Sequence, residues 1–262
     1  MRLRRVLVSL LLLCSVSSLK LSAQNANSVQ KDAAAVNTLQ VAIQALGGNT
    51  AVLGINDSVI TGTLTPTKGS RMQPATFVWK TSGQEFRYEM QFQSSTRVFA
   101  SGHGRPAVSK KTGVKPLFYH MVYGALPFHA PALVLLSNIA DPETALANAG
   151  TGVALGKAAA KVQVNTGTDK ATSSITQQLW YIDAGSGLPS RVEYRTPQDT
   201  NMASWVDVAM EFGDFRQVSG VLVPFAITTY EDGIAVSVLS VSSVQFNVGV
   251  APSEFDLLGG GQ

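Results

Sequence analysis

From Glu85 to Phe92 the chain alternates without interruption: Phe86, Tyr88, Met90 and Phe92 fall on one side, Glu85, Arg87, Glu89 and Gln91 on the other. A period of two belongs to a β-strand, whose successive side chains point to opposite faces. A strand of this kind is half-buried, with its aromatic side against a core and its charged side in water. Shorter runs of the same type surround it. Val59 to Leu64 and Phe77 to Lys80 precede it, separated by a polar turn over Pro66 to Pro74. Arg97 to Ala100 follows, closed by Gly102-His103-Gly104. Further on, Lys161 to Asn165, Ser174 to Ile182, Arg191 to Arg195, Trp205 to Phe212, Leu222 to Tyr230 and Ala235 to Val248 read as strands. Asp183 to Gly187, Gly213-Asp214, Ser219-Gly220 and Asp232-Gly233 supply the turns between the later ones. Most of the chain is therefore expected in an antiparallel sheet.

Two segments break this period. From Ala33 to Leu46 the apolar positions Val36, Leu39, Ile43 and Leu46 recur three and four apart, which predicts a helix stopped by Gly47-Gly48. From Pro116 to Ala147 the chain is strongly apolar but interrupted by Pro127 and Pro131. It is expected to form two or three short helices rather than one straight one. Asp141-Pro142-Glu143 has the composition of a helix start, with an N-cap, Pro at the first helical position and an acid in the first turn. There is no internal repeat and no long linker. One α+β domain is expected: a helix, an antiparallel sheet, a helical insertion, and more of the same sheet.

Residues 1–23 are expected to be removed as a signal peptide. Arg2, Arg4 and Arg5 precede the apolar run Val6 to Leu13, and Ala23 offers a small residue for cleavage. The apolar run is too short to span a bilayer as a helix. Lipidation at Cys14 is the lesser reading, because Leu13 occupies the place where a small residue is needed. The domain is then 24–262. Losing Arg2, Arg4, Arg5 and Lys20 from the 20 Lys and Arg leaves 16 against 17 acidic residues, a net charge of −1. The basic footprint that nucleic-acid binding requires is lost with the leader. The chain's one Cys lies in that leader, so neither a disulfide framework nor a Cys-based zinc site is expected.

Few residues fit catalysis. No Gly-x-Ser-x-Gly nucleophile elbow occurs, and Ser186 reads as part of a turn. His103, His120 and His129 form no metal-binding pair and read as structural, His103 on an exposed loop. Glu85 and Glu89 share one strand face, Glu211 and Asp214 flank a turn, and acids alternating with hydrophobes on a strand read as a solvated face. No catalytic residue, no metal and no cofactor is assigned. The stronger signal is apolar: an aromatic strand face followed by a greasy, Pro-broken insertion. The residues alone fit two readings, an ordinary helix-on-sheet core or a lined cavity covered by short helices. Met and aromatic side chains would suit acyl chains of varied shape.

The order of elements also resembles a known family. Leu46-Gly47-Gly48 ends the first helix. Phe77-Val78-Trp79-Lys80 and Phe86-Arg87-Tyr88-Glu89 follow, then the Leu-rich insertion. Next come Trp180-Tyr181-Ile182-Asp183, Gly187-Leu188-Pro189 with Arg191, Phe212-Gly213-Asp214-Phe215, Gly220 to Pro224, Phe246-Asn247-Val248 and Pro252-Ser253-Glu254-Phe255. This pattern resembles the LolA/LolB-like, outer-membrane lipoprotein-sorting-like superfamily of periplasmic proteins, over most of the chain after the leader. The resemblance implies a curved, incomplete antiparallel barrel whose concave face is covered by short helices. It implies a lining of Phe77, Trp79, Phe86, Tyr88, Met90 and Phe92. It also implies a lid of Leu117, Phe118, Met121, Leu126, Phe128, Leu133 and Leu136. Lys80 is the nearest candidate for the carriers' basic lid latch. The insertion is longer than in the compact lipoprotein carriers. The implied function is non-enzymatic binding or carriage of a lipid, an acyl chain or an acylated lipoprotein, with an outer-membrane acceptor and transient membrane contact. An envelope-stress sensor using the same cavity is the alternative, and a lipid-acting hydrolase a lesser one. The implied location is the periplasm or outside the cell.

Overall fold

The computed structural model describes residues 29–117, 128–166, 176–197 and 204–259. The leader and three of the expected lid residues, Phe118, Met121 and Leu126, lie outside the described residues, as does His120. Helix α1, Ala33–Ala45, starts where Asp32 accepts the backbone N–H of Ala34 at 2.7 Å and of Ala35 at 3.4 Å. Its expected face is the buried one: Leu39 and Ile43 are sealed, and Leu46 just beyond it also. Gly47 has a φ of 135°, and a Cβ there would run into the carbonyl of Gly220. The helix therefore stops where it meets the β11–β12 turn described below, with Leu222 N–H donating to Leu46 O at 2.7 Å. A short helix α2, Gly48–Leu53, follows.

Among the described residues, thirteen strands form one antiparallel sheet. The first meander is β1 Asp57–Pro66, β2 Ala75–Ser82, β3 Glu85–Phe92, β4 Thr96–Gly102, β5 Arg105–Lys110 and β6 Gly113–Pro116. The second is β7 Thr144–Ala154, β8 Lys157–Thr166, β9 Gln177–Asp183, β10 Pro189–Pro197, β11 Trp205–Val218, β12 Val221–Glu231 and β13 Ile234–Phe246. Helix α3, Pro131–Ala140, lies between the two. The meanders join where the first strand meets the last, from Ser58 opposite Phe246 to Pro66 opposite Ser237. Strands β6 and β7 stay unpaired with each other, so the sheet curves into a half-barrel that does not close. Helices α1 and α3 pack against each other and against the second meander. Their buried side chains share one core with the inward residues of both meanders.

Three local expectations are corrected. Strands β5, β6 and β7 have weak alternation and small residues, and pairing with stronger neighbours overrides their composition. Asp141-Pro142-Glu143 starts no helix. The Asp141 carboxylate instead accepts Glu143 N–H at 2.9 Å and Thr144 Oγ1–H at 2.8 Å, and this local turn feeds β7. Of the two or three short helices expected over Pro116 to Ala147, α3 lies among the described residues, and 118–127 lie outside them. Gly213-Asp214 does not end a strand: β11 continues to Val218, and Asp214 takes a φ of 51° without shifting the register with β12.

A strap crosses the convex face. After β13, Asp57 accepts the N–H groups of Val248 and Gly249 at 2.8 and 3.0 Å. The chain then reaches a single 3-10 turn, Pro252–Glu254, and the buried Phe255. Lys80 pairs with Glu254 at 2.9 Å, Arg105 with Asp256 at 3.0 Å, and Arg87 donates to Glu254 O. Lys80 and Arg87 alternate with Trp79 and Tyr88, so the strap lies on the face opposite the aromatic one.

Candidate functional site

Inside the half-barrel, strand register assembles two aromatic groups. In the first meander Phe77 lies opposite Met90, and Trp79 opposite Tyr88. The Trp79 and Tyr88 rings stack 4.3 Å apart at 29°. Phe77 has room because its other neighbour is Gly62, where a Cβ would lie 2.7 Å from the Phe77 ring. In the second meander Trp180 stacks on Phe212 at 6.0 Å and 12°. Trp180 Nε1 is satisfied by Gln178 at 2.6 Å.

Two consecutive residues bridge these groups. Phe128 stacks on Tyr194 at 5.0 Å and lies 5.9 Å from Trp180, so it belongs to the second meander's cluster. His129 turns the other way. Its ring is 3.7 Å from Trp79, 5.4 Å from Phe77 and 5.9 Å from Tyr88. Helix α3 begins immediately afterwards at Pro131, where the missing N–H costs nothing. Its C-terminal end is fixed by Lys31, whose Nζ donates to Ile139 O and Asp141 O, both at 2.6 Å.

His129 is 2% exposed, and neither ring nitrogen has a hydrogen-bond partner among the described residues. Burial holds its pKa down at about 3, so the ring is neutral near pH 7. Burial likewise pushes the Tyr88 hydroxyl far above the ordinary tyrosine value. The Trp79 indole N–H is also buried without a partner. His129 is thus buried, but its ring nitrogens are not satisfied among the described residues.

A cavity of about 190 Å³ opens beside this pair, at the seam between the meanders. Leu64, Trp79, Tyr88 and Met90 form its first wall, with Met72 from the β1–β2 loop and His129 from above. Tyr194, Val208, Met210 and Leu239 form the second. Thr196, Thr229, Glu231 and Ser237 give that second wall a polar rim. None of the lining residues is Lys or Arg.

The expected lining is partly assembled there. Trp79, Tyr88 and Met90 face the cavity, while Phe77 and Phe86 are sealed in the core behind it and Phe92 is half-buried at the strand end. Of the expected lid, Phe128 is fully buried among aromatics. Leu117, Leu133 and Leu136 pack on the core's edge and do not line the cavity. Lys80 is no lid latch, since alternation puts it on the convex face with Glu254. The whole second wall went unassigned in the sequence. Its signal is the period-two set Val206, Val208, Met210 and Phe212, with Val192 and Tyr194 on the neighbouring strand. Among the described residues no group of three or more His, Cys, Asp or Glu could hold a metal ion, and no helix is long and apolar enough to cross a membrane.

No family model matches the chain, and no curated protein does either. Solved structures do. A domain described as an outer membrane lipoprotein-sorting protein from Vibrio parahaemolyticus superposes with a TM-score of 0.56 at 15% identity. A DUF1329 family protein from Desulfovibrio piger gives 0.55 at 12% identity. A LolA superfamily protein from Nitrosomonas europaea gives 0.53 at 9%. Each match covers 85% of this chain and 97% of the other. The chain therefore has the half-barrel fold of these proteins, as its sequence pattern implied.

Proposed function

We propose that the chain is a non-enzymatic binder or carrier of a lipid, an acyl chain or an acylated lipoprotein, working in the periplasm after loss of residues 1–23. The observation that carries this reading is the cavity at the seam, walled by Trp79, Tyr88 and Met90 on one side and by Tyr194, Met210 and Leu239 on the other. Apolar walls with a few polar groups at one edge are the composition of a small-molecule site. Lipoprotein enters the reading through the Vibrio parahaemolyticus domain, which shares the fold and is described as lipoprotein-sorting.

Size decides what enters. A cavity of about 150 Å³ holds a benzene molecule, whereas drug-sized ligands occupy roughly 300–1,000 Å³. At about 190 Å³ the site admits a short stretch of hydrocarbon as it stands. A longer chain needs the Phe128-His129 step and α3 to draw back from the sheet. Each CH₂ transferred from water contributes about 0.8 kcal/mol. A long acyl chain thus gathers enough to offset the loss of the Phe128 and His129 contacts, and the open form is populated when ligand is present.

The test is native mass spectrometry of the protein recovered from a bacterial periplasm, with organic extraction of the same sample. A bound mass that extracts as phospholipid or as acylated peptide supports the reading and names the ligand class. An apo mass, together with no uptake of added lysophospholipid, overturns it.

A further inference from the structure

The cavity's lining is not uniformly apolar beyond its rim. The Trp79 N–H and both His129 ring nitrogens are buried, without a hydrogen-bond partner among the described residues, and belong to residues that line the same space. Buried donors and acceptors in folded proteins are nearly always satisfied, by protein, water or ligand. Here the two ring centroids lie 3.7 Å apart with their planes tilted by 53°, so neither ring turns toward a new partner without losing this contact. Replacing both by apolar rings of similar shape would remove the unmet groups at little cost to packing.

We propose that Trp79 and His129 form a polar subsite of the cavity that recognises an uncharged ester or amide carbonyl on an otherwise apolar ligand. This rests on the binding function proposed above and specifies its ligand. A carbonyl oxygen accepts the Trp79 N–H, and a neutral imidazole brings one further donor and one acceptor, the latter suited to an amide N–H. The electrostatics select against a free carboxylate. No Lys or Arg lines the cavity, Lys80 is engaged with Glu254 on the opposite face, and Glu231 sits on the rim. A carboxylate would enter without a counter-charge, which a water-poor site penalises. Tyr88, Tyr194 and Glu231 are the other titratable groups lining the cavity with His129, and none of them can carry a positive charge.

The experiment compares three ligands of matched length on the full chain: methyl octanoate, octanoate and nonane, each titrated by calorimetry at pH 7. Methyl octanoate should bind roughly five- to tenfold more tightly than nonane, the gain of one well-placed hydrogen bond, and octanoate should be the weakest. Trp79→Phe keeps the ring and its packing but deletes the N–H. In this variant methyl octanoate should bind no more tightly than nonane does to the same variant, and His129→Phe should narrow the difference in part. Circular dichroism confirms that both variants fold. Equal affinity for the ester and the alkane overturns the subsite but leaves the binding function standing. An ester preference that survives Trp79→Phe also overturns it. Failure of all three ligands to bind overturns both proposals.

Discussion

The imidazole of His129 lies 3.7 Å from the indole of Trp79, centroid to centroid, while the ring of the preceding residue, Phe128, lies 5.0 Å from Tyr194 in the other half of the sheet. A single peptide step thus anchors in both meanders. Among the described strands the two meanders pair through β1 and β13, and this step adds a tie across the concave side. The His129 ring also lines the cavity, so stability and access are coupled through this step.

The coupling should show as acid lability. His129 has its pKa lowered from 6.5 to about 3 in the folded chain. Between those values the unfolded chain binds a proton that the folded chain does not, so stability falls as pH falls. The expected loss is about 1.4 kcal/mol per pH unit below pH 6.5. Asp183, held below the ordinary carboxylate range chiefly by the Ser186 N–H, adds to the loss only below about pH 4, and so does Asp214, held down by Arg216. The window from pH 6 to pH 4 therefore belongs to His129. Urea midpoints measured at pH 7, 6, 5 and 4 should fall for the natural chain and stay nearly level for His129→Phe. A slope in that window that survives His129→Phe would assign the lability elsewhere.

Phe128→Ala should cost about 3–5 kcal/mol, the usual toll for deleting a fully buried aromatic ring. Its effect on ligand should have the opposite sign. Removing the ring takes away contacts to Trp180 and Tyr194 that hold the Phe128-His129 step down and enlarges the space beneath it. Equilibrium unfolding measures the first effect. Displacement of a fluorescent acyl probe measures the second, with tighter binding of long chains expected in the variant at a temperature where it is still folded.

Strand β3 of the first meander was legible because it faces one core and one solvent side, which writes a clean period of two into Phe86 to Phe92. Helix α1 was legible for the matching reason, with one buried face. Strand β7 was not. Its residues are mostly Ala, Gly, Thr and Asn, it pairs with β8 alone along most of its length, and five of its eleven positions are exposed. Such a strand is held by a neighbour rather than by its own pattern. The site was half legible: alternation placed Trp79, Tyr88 and Met90 on one face, but nothing local says that Tyr194 and Met210, more than a hundred residues later, face them. That depends on β1 pairing with β13, a contact between the two ends of the sheet-forming chain.

Gly62 makes a separate prediction. A Cβ there would lie 2.7 Å from the Phe77 ring and closer still to the carbonyl of Ser240, at the register shift between β1 and β13. The ring has some freedom to turn, but the carbonyl belongs to the strand pairing that joins the meanders. Gly62→Ala should destabilise by about 1–3 kcal/mol, as overpacking does. The Phe77 ring should also be driven toward His129. A lowered urea midpoint with unchanged slope, and a changed near-ultraviolet aromatic signal, would report both. An unaltered midpoint would mean that the seam is more compliant than its register implies.

The strap on the convex face separates a packing role from an electrostatic one. Lys80 and Glu254 form an ion pair at 2.9 Å, with side chains 24% and 39% exposed. Pairs this accessible contribute roughly 0–1 kcal/mol. Phe255 is 1% exposed, and the strap's backbone sits so close to β4 that a Cβ on Gly102 would lie 2.8 Å from Phe255 C and O. Register sets Ala100 and Ala107 opposite one another on the strap side, and both are fully buried. Small residues there leave space for the chain to lie flat. Lys80→Ala should therefore change stability by less than about 1 kcal/mol, with ligand uptake untouched because the lysine points away from the cavity. Phe255→Ala should cost about 3–5 kcal/mol, and deleting the chain from Pro252 onward should cost at least as much. Thermal unfolding of the three variants ranks them. A Lys80→Ala variant that lost ligand binding while keeping its stability would return the lysine to the role of a latch, and would contradict the face on which strand alternation puts it.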